Sequence, residues 1–285
     1  MRFLILSIVM SVSVAVLLKV ARQRQMAIEQ MVAVNYAAAT ALTVAILQPK
    51  FGGFSGQSVS VFVALGVLLP TIFVAMGRSV AVVGIIKSDA AQRLSLFLPV
   101  LVAFTVFGEA VVAHRVVGLV LAVAALGCLL YKPNQHSATQ TAQGGAVWLL
   151  AVWLGYGVID ILFKQLSKQG AAFSGSLLIA FVLAGVLMTA YLFVKKTRWQ
   201  RQNIYAGLLL GCLNFMNILF YIKAHQAFKE SPTLVFAGMN MGVIVLGTLA
   251  GAVGFGERIS KLNAFGVVLA LLAIVCLYFG QNWFI

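Results

Sequence analysis

Ten apolar runs, each close to the length a helix needs to cross a bilayer, follow one another along 285 residues. A crossing takes about 20 predominantly apolar residues at 1.5 Å rise per residue. The runs span residues 3–20, 28–47, 58–80, 88–107, 112–131, 146–166, 173–194, 203–223, 231–255 and 262–280. Ten helices use most of the chain and leave only short loops between them. Composition agrees: 62% of residues are hydrophobic and 9% are charged, against about 25% in soluble domains. Twenty-six charged residues cannot cover a soluble fold of this size. The chain therefore reads as an all-α membrane protein with ten transmembrane helices.

The polar stretch 133–145 is rich in turn formers and unpatterned, so it reads as a linker. It separates a first five-helix unit, 1–132, from a second, 146–285. The two units look like copies. Gly108–Tyr131 aligns without a gap on Gly256–Phe279, with nine identities in 24 pairs, including Gly108/Gly256, Glu109/Glu257 and Cys128/Cys276. Earlier in the units Leu17-Leu18-Lys19 pairs with Leu162-Phe163-Lys164. The first apolar run is thereby matched to a later helix and reads as a span, not as a leader. An odd number of spans per copy makes the second copy enter the membrane from the opposite side. Two inverted five-helix repeats are a transporter signature, with the site at the repeat interface near the midplane.

The net charge is +14, from 20 Lys+Arg and 6 Asp+Glu. These cations sit mostly at the ends of apolar runs, where they meet headgroups and set orientation, so nucleic acid is not an expected partner. Loops after the odd-numbered spans hold twelve Lys/Arg and the other side seven, which places both termini outside. Cys128, Cys212 and Cys276 lie in apolar runs and read as small core residues. The three histidines show no metal-ligand spacing with them, and neither metal nor cofactor is expected. No G-x-x-x-x-G-K-[ST], G-x-S-x-G or H-E-x-x-H occurs, so an enzyme is not expected either.

Two five-helix halves, each carrying Gly-Glu before its last helix, resemble the EamA-type members of the drug/metabolite transporter superfamily. The stretch Ser88-Asp-Ala-Ala-Gln-Arg-Leu-Ser-Leu-Phe-Leu-Pro99, running on to Phe107-Gly-Glu109, is similar to that family's fourth helix. Phe255-Gly-Glu-Arg258 repeats the signature, with Gly247 where the first half has Pro99. The resemblance implies a ten-helix secondary transporter with a cavity between the halves, and an address in the bacterial inner membrane.

Ionisable groups inside spans are costly and mark function by default. Arg93 lies one turn into the fourth span, four residues after Asp89. It either pairs with Asp89 or presents a planar cation to a substrate anion. Trp153, Tyr156, Asp160 and Lys164 share a helix face. Asp160 and Lys164 form either a self-neutralised pair or a proton or amine site, with the proton as a coupling ion. Asn214, Asn217 and Tyr221 make a polar stripe, and Asn240 aligns with Gln92 across the repeat. These amides line a cavity or bond between helices. Glu109 and Glu257 are expected to complement the N-termini of the helices they precede. Pro99 is expected to kink the fourth span, and Gly238, Gly242, Gly247 and Gly251 to allow close helix packing. The set suits a small polar or zwitterionic metabolite such as an amino acid, in contact with the lipid bilayer. An organic-cation exporter, a lipid scramblase and a non-transporting membrane subunit are the alternatives.

Overall fold

The computed structural model describes residues 1–49, 56–83, 85–130, 145–169, 172–256 and 260–280. Every regular element in these segments is helical. In chain order they are α1 (Arg2–Gln23), α2 (Ile28–Leu42), α3 (Gly56–Val83), α4 (Ile85–Leu94), α5 (Phe97–Thr105), α6 (Ala113–Leu130), α7 (Gly145–Ser167), α8 (Phe173–Val194), α9 (Arg201–Ala227), α10 (Pro232–Phe255) and α11 (Lys261–Phe279). Eight of the described helical segments are long and apolar enough to cross a membrane, and two shorter apolar ones, Ala90–Thr105 and Ala113–Cys128, join them. The chain is a multi-pass integral membrane protein. Large apolar side chains such as Leu101, Val120, Phe193 and Val253 stand exposed on the outer surface, where lipid solvates them at no cost.

One expected span is not a single helix. Residues 88–107 form α4 and α5, with a break at Ser95-Leu96. Pro99, which is buried, is the third residue of α5 and has no N–H to return to Ser95. The turn before it tightens: Leu96 N–H bonds Arg93 O at 3.3 Å and Leu98 N–H bonds Ser95 O at 3.0 Å. The proline thus sits at a full break between two helices where a kink was expected. The last turn of the second span also departs from α geometry, widening to a π turn over Thr43–Leu47.

The packing has a two-fold pattern. α1 packs on α9 and α10, and α7 packs on α3 and on α4–α5. α2 packs on α9, and α8 on α3. α2 also meets α8, and α6 runs along α11. Exchanging α1 with α7, α2 with α8, α3 with α9, α4–α5 with α10 and α6 with α11 carries each of these pairings onto another or onto itself. The linker falls outside the described residues except for Gly145, which opens α7. Glu257 and Arg258 also lie outside them.

Small residues set the closest approaches. A Cβ on Gly207 would lie 2.9 Å from Met31 O, and one on Gly211 would lie 2.8 Å from Asn35 O, so α9 and α2 meet backbone to side-chain-free backbone. Gly238 and Gly242 take Leu4 and Ile8 of α1 as expected, whereas Gly247 has nothing within 4 Å. Cys276 is buried, but Cys212 is exposed on the outer face of α9 and is not a core residue.

Candidate functional site

Midway along the helices, α1, α3, α4, α7, α9 and α10 surround a cavity of about 190 Å3. Gln92, Arg93 and Ser95 reach it from the broken span, Tyr156, Asp160 and Phe163 from α7, and Asn214, Asn217 and Tyr221 from α9. Asn240 comes from α10, Ser11 from α1 and Phe73 from α3. Eight of the ten residues singled out in the sequence line this one space. Trp153 and Lys164 do not.

The broken span explains Trp153. Tightening at residues 95–98 frees the carbonyls of Gln92 and Leu94 from the α-helical ladder. Ser95 Oγ donates to Gln92 O at 2.6 Å, and Trp153 Nε1 donates to Leu94 O at 3.0 Å. A Cβ on Gly157, one turn on along α7, would lie 3.1 Å from Ser95 O, so a glycine lets α7 press against the break. Trp153 is therefore a brace behind the site. Freed carbonyls at membrane depth are tolerated only when re-satisfied in this way.

Second partners fix which end of each amide faces the cavity. Asn214 Nδ2 donates to Asn35 Oδ1 at 3.1 Å, which leaves the Asn214 carbonyl to the cavity. Ser7 Oγ donates to Asn217 Oδ1 at 2.8 Å, which leaves the Asn217 amide hydrogens. Asn240 Nδ2 donates to Phe236 O at 3.1 Å, which leaves its carbonyl. The lining thus alternates acceptors and donors. Tyr221 Oη donates to Asp160 Oδ1 at 3.0 Å, and no other hydrogen bond to Asp160 forms among the described residues. The expected Asp160–Lys164 pair is absent: no ion pair within 4 Å joins them among the described residues. Lys164 turns away from the cavity, is 2% exposed, and donates to Lys229 O at 3.4 Å. The side chain of Asp89, the alternative partner of Arg93, lies outside the described residues.

Sequence reading missed Ser11, Phe73 and Phe163 in the lining, and Ser7, Asn35 and Tyr36 behind it. Ser7 and Asn35 are wholly buried polar residues in the middle of apolar runs, a signal of the same kind as Asn214. The phenylalanines carry no such signal, since a lipid-facing ring looks the same in sequence.

One end of the cavity, the end toward the N-terminus of α10, is sealed by packed rings. Phe163, Tyr221, His225 and Phe236 are each at most 5% exposed and stack in series, with ring centroids 6.1, 4.8 and 4.8 Å apart. Beneath them Glu109 Oε2 accepts from Thr233 N at 2.9 Å and from Thr233 Oγ1 at 2.7 Å. Its Oε1 stands 3.3 Å from Arg115 Nε. Glu109 thus complements the N-terminus of α10 in the other half, and not that of α6, which it precedes. Arg115 also donates to Glu230 O and Ser231 Oγ, both at 3.1 Å.

A Haemophilus influenzae protein named "Uncharacterized protein" is 50% identical to this chain over 286 residues, covering 98% of each. The chain belongs to that protein's family. Proteins named "Probable glucose uptake protein GlcU" from Bacillus cereus and Bacillus anthracis are 26% identical over 208 residues, covering 67% of this chain and 70% of each of theirs. A solved crystal structure shares the fold, with a TM-score of 0.75 at 14% identity over 99% of this chain and 97% of that one. No protein-family model matches the chain.

Proposed function

We propose that the chain is a secondary transporter that carries a small polar or zwitterionic metabolite across the bacterial inner membrane by alternating access. It is read as a carrier of the EamA-like architecture, not as an enzyme, with its two halves as inverted repeats and both termini outside. The observation that carries this reading is the cavity: a charged and amide-rich space midway through a membrane protein, built by helices of both halves beside a broken span. Broken helices at membrane depth belong to ligand-lined spaces. The two-fold packing pattern supports a rocking exchange between halves. Likeness to proteins named for glucose uptake supports a transporter.

Arg93 and Asp160 supply opposite charges to the same space, which suits a zwitterion. The alternating acceptors of Asn214 and Asn240 and the donor of Asn217 suit hydroxyl groups, which both give and take a hydrogen bond. A sugar is therefore the second reading, favoured by the amide pattern and by the glucose-uptake relatives. Either substrate leaves Asp160 with one oxygen for a coupling proton. Neither reading needs the lipid-open groove of a scramblase or the acid-lined aromatic box of a cation exporter.

Thermal-shift measurements on purified protein against amino acids, hexoses, pentoses and organic cations test the reading. A ligand that binds the native state at 100 times its Kd adds about 2.7 kcal/mol. One polar metabolite class is expected to raise Tm in the wild type and to lose that effect in Arg93→Gln or Asn217→Ala. Stabilisation by lipophilic cations alone would overturn the reading.

A further inference from the structure

Between the cavity and its sealed end, α7 and α9 run side by side and present two rungs. On the first, Asp160 faces Tyr221 at 3.0 Å. One turn further on each helix come Lys164 and His225. His225 is wholly buried, and the rings of Tyr221 and Phe236 close on it edge-on at 4.8 Å each. Neither of its ring nitrogens has a hydrogen-bond partner among the described residues. A buried imidazole left in that state carries a desolvation cost that packing alone does not need.

The groups around it are few. From α7, Lys164 stands near enough to act on its charge. Lys164 in turn feels Lys168, Glu109, Glu230 and Lys229. From α10 comes Phe236, which does not titrate. The only charged side chain of α2, Glu29, lies at the opposite end of that helix, and α1 brings Arg2. On α9 itself the neighbours are Tyr221 and Lys223.

We propose that His225 is a proton-binding site in series with Asp160, and that its protonation opens the sealed end of the cavity. This rests on the reading of the chain as a carrier with Asp160 as the coupling-proton site. The proton leaves the Asp160 carboxyl, is carried by water entering beside Tyr221, and binds a lone pair on Nδ1 or Nε2. A carboxylate and an imidazolium result, and no other bond forms or breaks. The imidazolium then stands on the same rung as the Lys164 ammonium, both buried, where a few waters screen far less than bulk solvent and like charges repel strongly. The attachment that yields is a long one, Lys164 to Lys229 O at 3.4 Å. With it moves the 228–231 turn, whose Glu230 and Ser231 also hold Arg115. The N-terminus of α10 is released, and the cavity connects to that membrane face.

Hydrogen–deuterium exchange of the protein in lipid nanodiscs, corrected for the intrinsic pH dependence of exchange, reads this opening without a substrate. From about pH 8 to about pH 5.5, exchange over residues 228–238 should quicken about tenfold in the wild type, as local opening is favoured. It should stay flat in His225→Gln, and also in Lys164→Met, which removes the repelling charge and keeps the imidazole. If His225→Gln does not fold, His225→Phe, which keeps a ring between Tyr221 and Phe236, takes its place. A flat wild type, or a wild-type response in both variants, overturns the proposal. The carrier reading fails separately: it falls if no ligand binds and no flux occurs, whatever the exchange shows.

Discussion

The indole N–H of Trp153 donates to Leu94 O at 3.0 Å, from a helix of the second half to the end of α4 in the first. It occupies a carbonyl that the helix break leaves over. The break in turn sets the register of Gln92 and Arg93 toward the cavity. The site is thus braced from behind by a side chain that does not line it.

Trp153→Phe keeps the ring and removes the donor. Leu94 O then loses its side-chain partner at the helix break, at a cost of about 1 kcal/mol. Tm should fall by several degrees in a thermal melt. The ligand's Kd should weaken along with it. Unchanged stability would show that the bond contributes nothing to holding the break.

Much of this arrangement is visible in the sequence, but not the break. The spans follow from apolar length, and the amides of α9 and α10 from their position amid apolar residues. Gln92 and Asn240, matched by repeat offset, do face one cavity. The fourth span reads as a continuous apolar run because a proline tells only that one hydrogen bond is missing, not which carbonyls are re-satisfied or by what. Trp153 and Tyr156 lie on one helix face, yet one braces and the other lines. Periodicity cannot separate them, since that depends on the neighbouring helix. The same limit misassigned Lys164 and the helix that Glu109 serves.

Glu109→Ala leaves Arg115 without its carboxylate and Thr233 without its acceptor. Removing one partner of a buried ion pair costs about 3 kcal/mol or more. Glu109→Gln keeps an acceptor for Thr233 and should recover part of the loss. Thermal melts of the two variants, with Thr233→Val as the third, check the order. Equal loss in Ala and Gln would assign the whole effect to the charge.

Gly211→Ala places a methyl 2.8 Å from Asn35 O, which belongs to the backbone and cannot swing aside. Helices α2 and α9 must separate, at about 1–3 kcal/mol. Because Asn35 holds Asn214, the ligand's affinity should fall too. Gly247→Ala, where nothing lies within 4 Å, is the control and should be silent in both measurements.

Tyr221→Phe keeps the aromatic stack against Phe163 and His225 but removes the donor to Asp160. Uptake should fall about tenfold, the scale of one hydrogen bond to a charged group. Asp160→Asn should retain downhill exchange of substrate and lose the response to an imposed pH gradient. An Asp160→Asn protein that still accumulates substrate against its gradient would remove Asp160 from the coupling.

Flux itself tests the central claim most directly. Purified protein in liposomes, loaded with the metabolite class that raises Tm, should exchange it for external label, and Arg93→Gln and Asn217→Ala should abolish the exchange while remaining folded. Exchange that survives both substitutions, or no exchange by a folded wild-type protein with its ligand bound, would contradict a carrier working through this cavity.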